Sequence, residues 1–225
     1  MFEIQGLPQY ITAIGGLGTA AFGLVDATKP VTGVNHIGFS GIRAAVTALT
    51  PSATGPGANA MPPGKLLATL QANWINGTDL GSQKSIAKSL IKLNLSAGNA
   101  SAVAAATGVD SVVLTAVATS IAEGTPLSST ESDVYGRFDL IVTALLDEAY
   151  QRSDQVYRNW TRALAGVVAV LLSVTGWLML YGADNPKGIG TSVLIGLLAT
   201  PLAPIAKDLT SALASAVNTL QLVRK

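Results

Sequence analysis

The chain has 225 residues and no cysteine, with hydrophobic residues at 49%, charged residues at 12% and a formal net charge of +1. That charged share is about half of what an ordinary soluble domain carries, and a net charge so near zero offers no field to recruit nucleic acid, so no nucleic-acid partner is expected. The missing cysteine removes disulfides, thiolate nucleophiles and thiolate metal sites together.

The N-terminal stretch MFEIQGLPQY has no basic leader and carries Glu3 instead, so residues 4–25 are read as a retained span, not a cleaved signal. Pro8 and the glycines Gly6, Gly15, Gly16, Gly18 and Gly23 weaken it as an isolated helix. Gly15, Thr19 and Gly23, however, recur at four-residue spacing, the small-xxx-small pattern that lets helix backbones approach closely in lipid. They are the predicted packing residues of a first transmembrane helix within residues 1–28.

Residues 29–131 read as a helical cytoplasmic region broken by turn-rich loops at 51–64 and 124–133, with no sustained strand alternation. Helices are predicted at about 65–75, 82–95, 100–106 and 110–122, with Asp110 capping the last. Lys84, Lys88 and Lys92 form a basic row at four-residue spacing. A solvated face is the default reading; the alternative is contact with anionic lipid, where each would contribute about 1 kcal/mol. Residues 93–121 are uncharged except at Asp110, which leaves open whether they pack in the body or touch lipid; their Ala, Ser and Thr make them a poor full span.

From Ser132 to Gly182 there is no proline, so residues 132–182 are predicted as one long helix entering and crossing the membrane. Val134, Phe138, Ile141, Leu145 and Ala149 lie on its expected packing stripe. Residues 163–182 cover about 30 Å, the thickness of the hydrocarbon core, with Trp160 at one end and Trp177 and Tyr181 at the other, where aromatic rings favour the headgroup level. Gly182 and Asn185-Pro186 then predict a hairpin turn.

Residues 183–206 are read as a loop and a kinked transmembrane helix. From Gly188 to Thr200 the helix reaches only about 18 Å, so it must continue through the prolines or turn back as a re-entrant loop. Pro201 and Pro204 each remove a backbone hydrogen bond, and the Thr200 hydroxyl is positioned to re-satisfy the backbone; Thr200, Pro201 and Pro204 are the predicted hinge. Residues 207–225 form a C-terminal amphipathic helix whose Leu209, Leu213, Ala216 and Leu220 share a narrow, alanine-containing stripe suited to helix-helix contact.

Arg152, Arg158 and Arg162 precede the second span, and Lys207, Arg224 and Lys225 follow the third. By the positive-inside rule, the N-terminus lies outside a bacterial-type cytoplasmic membrane, with residues 29–160 and the C-terminus cytoplasmic.

Chemical motifs fail on inspection. The segment PPGKLLATL lacks the glycine and hydroxyl of a phosphate-binding loop, GFSGI lacks the second glycine of a nucleophile elbow, and the lone His36 near Ser40 has no strand-turn-helix context. Asp184 and Asn185 read as turn residues, and Asn76, Asn94, Asn99 and Asn159 begin N-x-[ST] sequons by chance in a Ser/Thr-rich chain. No cofactor is expected.

The sequence therefore predicts an all-α, multi-pass membrane protein with three transmembrane helices, a helical cytoplasmic region and a C-terminal amphipathic helix. It is expected to be non-enzymatic and structural, contacting membrane lipids and assembling as a homo-oligomer or with other membrane subunits. The alternative is an oligomeric channel or pore lined by Ser173, Thr175, Thr191 and Ser192. The absence of ionisable residues from the apolar runs argues against an ion relay.

Overall fold

The structure, a computed structural model, describes residues 7–53, 60–182 and 186–223, with side chains for 9–53, 60–182 and 188–206. All regular structure among the described residues is helical: α1 (Leu7–Thr32), α2 (Phe39–Leu49), α3 (Pro63–Ile75), α4 (Leu80–Leu93), α5 (Ala100–Thr107), α6 (Ser111–Glu123), α7 (Ser129–Tyr181) and α8 (Pro186–Val223), with a short 3-10 turn at Val34–His36. Helices α1, α7 and α8 each contain a stretch long and apolar enough to cross a bilayer, which makes the chain an all-α, multi-pass membrane protein. The chain divides into two compact units, one holding the residues up to Val34 and from Arg158 onward, the other Asn35–Tyr157.

The Asn35–Tyr157 unit is built on a stripe of α7. Phe138, Val142, Leu146 and Tyr150 are fully or almost fully buried, at the four-residue spacing that keeps side chains on one helix face. Around them pack Ile42, Val46 and Leu49 of α2, Leu66, Leu70 and Trp74 of α3, Ile91 of α4, Val103 of α5 and Leu114 of α6. The expected stripe shares only Phe138 with this one. Val134, Ile141, Leu145 and Ala149 are half-buried flanks, because α7 is covered from several sides and its core line is set by the helices that surround it.

Two local differences from the sequence reading have physical causes. Helix α2 was not expected. Its Phe39, Ile42, Val46 and Leu49 are buried at helical spacing, and it begins after Gly38, whose φ of 93° belongs to a region favouring glycine. A Cβ at Gly38 would also lie 2.5 Å from the Ser153 carbonyl oxygen and 3.1 Å from the Trp74 ring. The second expected loop ends at residue 128. The Ser128 N–H donates to the Glu131 carboxylate at 2.7 Å and the Glu131 N–H to the Ser128 hydroxyl at 3.3 Å, a capping box that starts α7. These backbone and hydroxyl donors also hold the Glu131 carboxyl below its usual range.

Asp110 accepts from the Val113 N–H at 2.8 Å and caps α6, and Asp79 caps α4 by accepting from Ser82 N–H at 2.8 Å. The 94–99 turn is tied by buried amides. Asn94 Oδ1 accepts from the Met61 N–H at 2.8 Å, and Asn99 Nδ2 donates to the Asn94 carbonyl at 2.7 Å.

In the other unit, α8 is one continuous helix through Pro201 and Pro204, so the third span and the C-terminal amphipathic segment share one element. A proline deletes a single N–H, and a packed membrane helix survives that loss. Helix α1 likewise runs past residue 28 to Thr32, with Pro30 inside it.

Candidate functional site

The membrane-type unit is organised by close approach of small residues. Ala21, Ala169 and Ala199 are each 0% exposed and form a cluster bordered by Ile14, Leu17, Val168 and Leu172. On α1, Gly15 and Gly18 lie against α8. A Cβ at Gly15 would overlap Ala206 Cβ and lie 2.9 Å from the Leu202 carbonyl oxygen, and one at Gly18 would overlap the Ala199 carbonyl. Hydrogen is therefore the only substituent that fits there. In lipid, where tails are as apolar as leucine, such proximity is a main source of helix association.

The predicted packing set is placed unevenly. Gly15 is on the seam, whereas Thr19 and Gly23 are exposed; a Cβ at Gly23 would meet nothing, and the Thr19 hydroxyl donates to its own helix at the Gly15 carbonyl, 3.0 Å away. The buried line runs Gly15, Gly18, Ala21 and Val25. Its three- and four-residue steps mix, as a 3.6-residue period requires, and a strict four-residue step walks off it.

Helices α7 and α8 form an antiparallel hairpin. Gly188 lies against the Trp177 ring, Gly196 against the Val170 backbone, and Gly166 faces the Thr200 hydroxyl, whose oxygen would be 3.6 Å from a Cβ there. Trp177 stacks on Tyr181 with ring centroids 4.2 Å apart. Of the expected hinge, Thr200 is half-buried toward α7, while Pro201 and Pro204 are exposed and Ala199, Ala203 and Ala206 form the inner face. The side chains of Leu209, Leu213, Ala216 and Leu220 lie outside the described residues, although their backbone is helical. Asp184 and Asn185 also lie outside.

The outer faces of the hairpin are apolar. Leu171 is 60% exposed and Met179 83%, with Val167, Leu180, Leu194 and Leu197 also exposed. Each such side chain left in water would forgo about 1.5–3 kcal/mol of transfer free energy; lipid removes that cost. The four hydroxyls expected to line a pore do not form one set: Ser192 is buried and donates to the Gly188 carbonyl at 2.9 Å, Ser173 is half-buried, and Thr175 and Thr191 are exposed.

In the Asn35–Tyr157 unit, the basic row faces α7 carboxylates. Lys84 pairs with Asp147, Lys88 with Asp139 at 2.6 Å and Lys92 with the other Asp139 oxygen at 3.0 Å. Lys92 also lies 4.9 Å from the Tyr135 ring centroid. Asp139 and Asp147 lie some fifty to sixty residues further along the chain, and only the folded structure brings them to the lysines. The Lys88 hydrogen bond, followed by that of Lys92, outweighs burial and holds the Asp139 carboxyl below its usual range. Partial burial opposes the charge on Lys92, yet its contacts with Asp139 and Tyr135 leave its ammonium above the usual lysine value.

Other chemical candidates separate. His36 is exposed, and its Nδ1 lies 3.1 Å from Gln71 Nε2, while Ser40 is exposed elsewhere. Burial pushes the Tyr150 phenol up to about 12, so it stays a neutral hydroxyl at neutral pH. A cavity of about 330 Å³ between α2, α5 and α7 is lined by Gly41, Ala44, Ala45, Ala48, Ala106 and Ala149, with Glu148 and Arg152 at its edge. Among the described residues no group of His, Asp or Glu side chains is placed to hold a metal ion. Asn94 and Asn99 are buried and hydrogen-bonded, which accounts for these two sequons structurally. Comparison with protein-family models, curated proteins and solved structures yields no match.

Proposed function

We propose that the chain is a non-enzymatic integral membrane protein with a structural role, assembling through its membrane helices as a homo-oligomer or with other membrane subunits. The observation that carries this reading is the contrast within the α7–α8 hairpin. Its inner contacts seat Gly166, Gly188 and Gly196 against Thr200, Trp177 and Val170, while its outer faces present exposed Val167, Leu171, Met179 and Leu194. Only 11% of the most apolar window of α7 is buried, against 28% for α8, so α7 keeps the larger free face for lipid or a neighbouring helix.

The antiparallel α7–α8 hairpin supports placing residues 183–187 and the C-terminus on opposite sides of the membrane, and the positive-inside rule puts residues 29–160 and the C-terminus in the cytoplasm of a bacterial-type cell. Helix α1, however, packs antiparallel to α8, Gly15 against Ala206 and Gly18 against Ala199, which counts against the expected outside N-terminus. The cysteine-free chain suits a direct test: single cysteines at Ser40 or Asp184 are labelled by an impermeant maleimide in intact cells. Only Asp184→Cys is expected to react. Labelling of Ser40→Cys instead would reverse the topology.

The role itself is tested by native mass spectrometry of the gently extracted protein. A defined oligomer or complex is expected, and a lone subunit overturns the assembly reading. Ion flux through reconstituted vesicles, altered by Pro201→Ala, would replace the structural role with the channel alternative.

A further inference from the structure

Helix α4 is attached differently from its neighbours. Its fully buried residues are Gln83, Ala87 and Ile91, so Ile91 is its one fully buried large apolar side chain, with Leu80, Ile86 and Leu90 only half-buried against the core, whereas α3 buries Leu66, Leu70 and Trp74. In compensation, α4 makes three lysine–aspartate contacts to α7. The lysine side chains retain 29–33% exposure, and the seam borders open space. A cleft of about 280 Å³ is lined by Gly81, Lys84, Ser85, Lys88, Thr143 and Asp147, and a shallower one by Lys92, Tyr135 and Asp139. Mobile ions therefore reach the ladder from both ends, and charge pairs open to solvent are weakened by salt where apolar contacts are not.

We propose that α4 is a charge-latched flap, a helix that opens by local unfolding independently of the rest of its unit when the Lys84/Lys88/Lys92–Asp139/Asp147 ladder is screened or displaced. Local opening of this kind is set by the burial and hydrogen bonding of one segment, not by the global stability. Its hinges are on either side: the 76–79 turn, and the 94–99 turn held by the Asn94 and Asn99 amides. Opening uncovers the part of the α7 core stripe beneath α4, including Leu146, which borders the cleft with Lys84 and Lys88. Displacement by an anionic surface would work through the same lysines.

The experiment is hydrogen–deuterium exchange of the full chain in nanodiscs of neutral lipid, at low and at high sodium chloride. Amides of Leu80–Leu93 are expected to exchange about tenfold faster at high salt, with those of α2, α3 and α6 unchanged. Asp139→Asn is expected to exchange faster at low salt and to lose most of the salt dependence. Ile91→Ala serves as the apolar control: it exchanges faster but keeps the salt dependence. Equal protection of α4 at both salts, or acceleration spread evenly over the whole unit, overturns the latch. So does Asp139→Asn with an unchanged salt response.

Discussion

Two helix seams in this molecule hold for opposite reasons. The α1–α8 seam is a fit of shapes, in which Gly15 and Gly18 leave no room for a Cβ against Ala206 and the Ala199 carbonyl. The α4–α7 seam is a match of charges beside a mostly half-buried apolar contact, with lysines facing Asp139 and Asp147 at an open cleft. The difference follows from solvent. In lipid, with no water to expel between helices, close contact is the available source of attraction; at a wet seam, charge pairs contribute modestly and respond to ions.

The comparison can be broken by substitutions of decreasing expected effect. Ile91→Ala removes the one fully buried large apolar side chain of α4 and should cost about 3 kcal/mol in unfolding of the Asn35–Tyr157 unit. A cost near zero would mean that the ladder and the half-buried Leu80, Ile86 and Leu90 hold α4 without it. Gly18→Val should cost about 2 kcal/mol in thermal unfolding in mild detergent, because the new side chain meets a backbone carbonyl. Gly23→Val should stay within about 0.5 kcal/mol, since that position is open. Equal effects at the two glycines would show that shape does not define the seam.

A loss of about 1 kcal/mol, between those of Gly18→Val and Gly23→Val, is expected for Asp110→Ala, which frees the Val113 N–H at the start of α6; faster exchange confined to the first turn of α6 is the readout. The smallest effect in the neutral range is that of pH on the ladder. Asp139 is held below its usual value and Lys92 above its own. The carboxylate's contribution is therefore present above the ordinary Asp range and lost as pH falls through its lower folded value. The ammonium's contribution is present below the ordinary Lys range and lost as pH rises through its higher folded value. Protection of α4, corrected for intrinsic exchange, should be flat between about pH 5 and 9 and fall only below about pH 4 or above about pH 11. A change near neutrality would point to a titrating group other than these.

Much of the architecture was legible because it depends on local composition. Long uncharged runs marked three apolar helices, and Asp110 before an apolar run marked the start of α6. The Ser128–Glu131 capping box was equally legible as S-x-x-E, yet the surrounding Gly, Thr, Pro and Ser suggested a loop. Helix α2 was hidden by Gly38 and Gly41, which resembled a broken active-site motif more than a helix entry. Glycine spacing alone could not separate Gly18 from Thr19 and Gly23, because which face of α1 is inside depends on where α8 lies.

By itself, then, the sequence determined that this chain is all-α and carries three helices apolar enough to cross a membrane, since burial of apolar length in lipid needs no partner to be specified. Only the tertiary structure decided which small residues touch, that α8 stays one helix through both prolines, and that the lysine row answers α7 carboxylates. Each of those depends on residues distant in the chain meeting at a few ångströms, a relation that neither composition nor periodicity encodes.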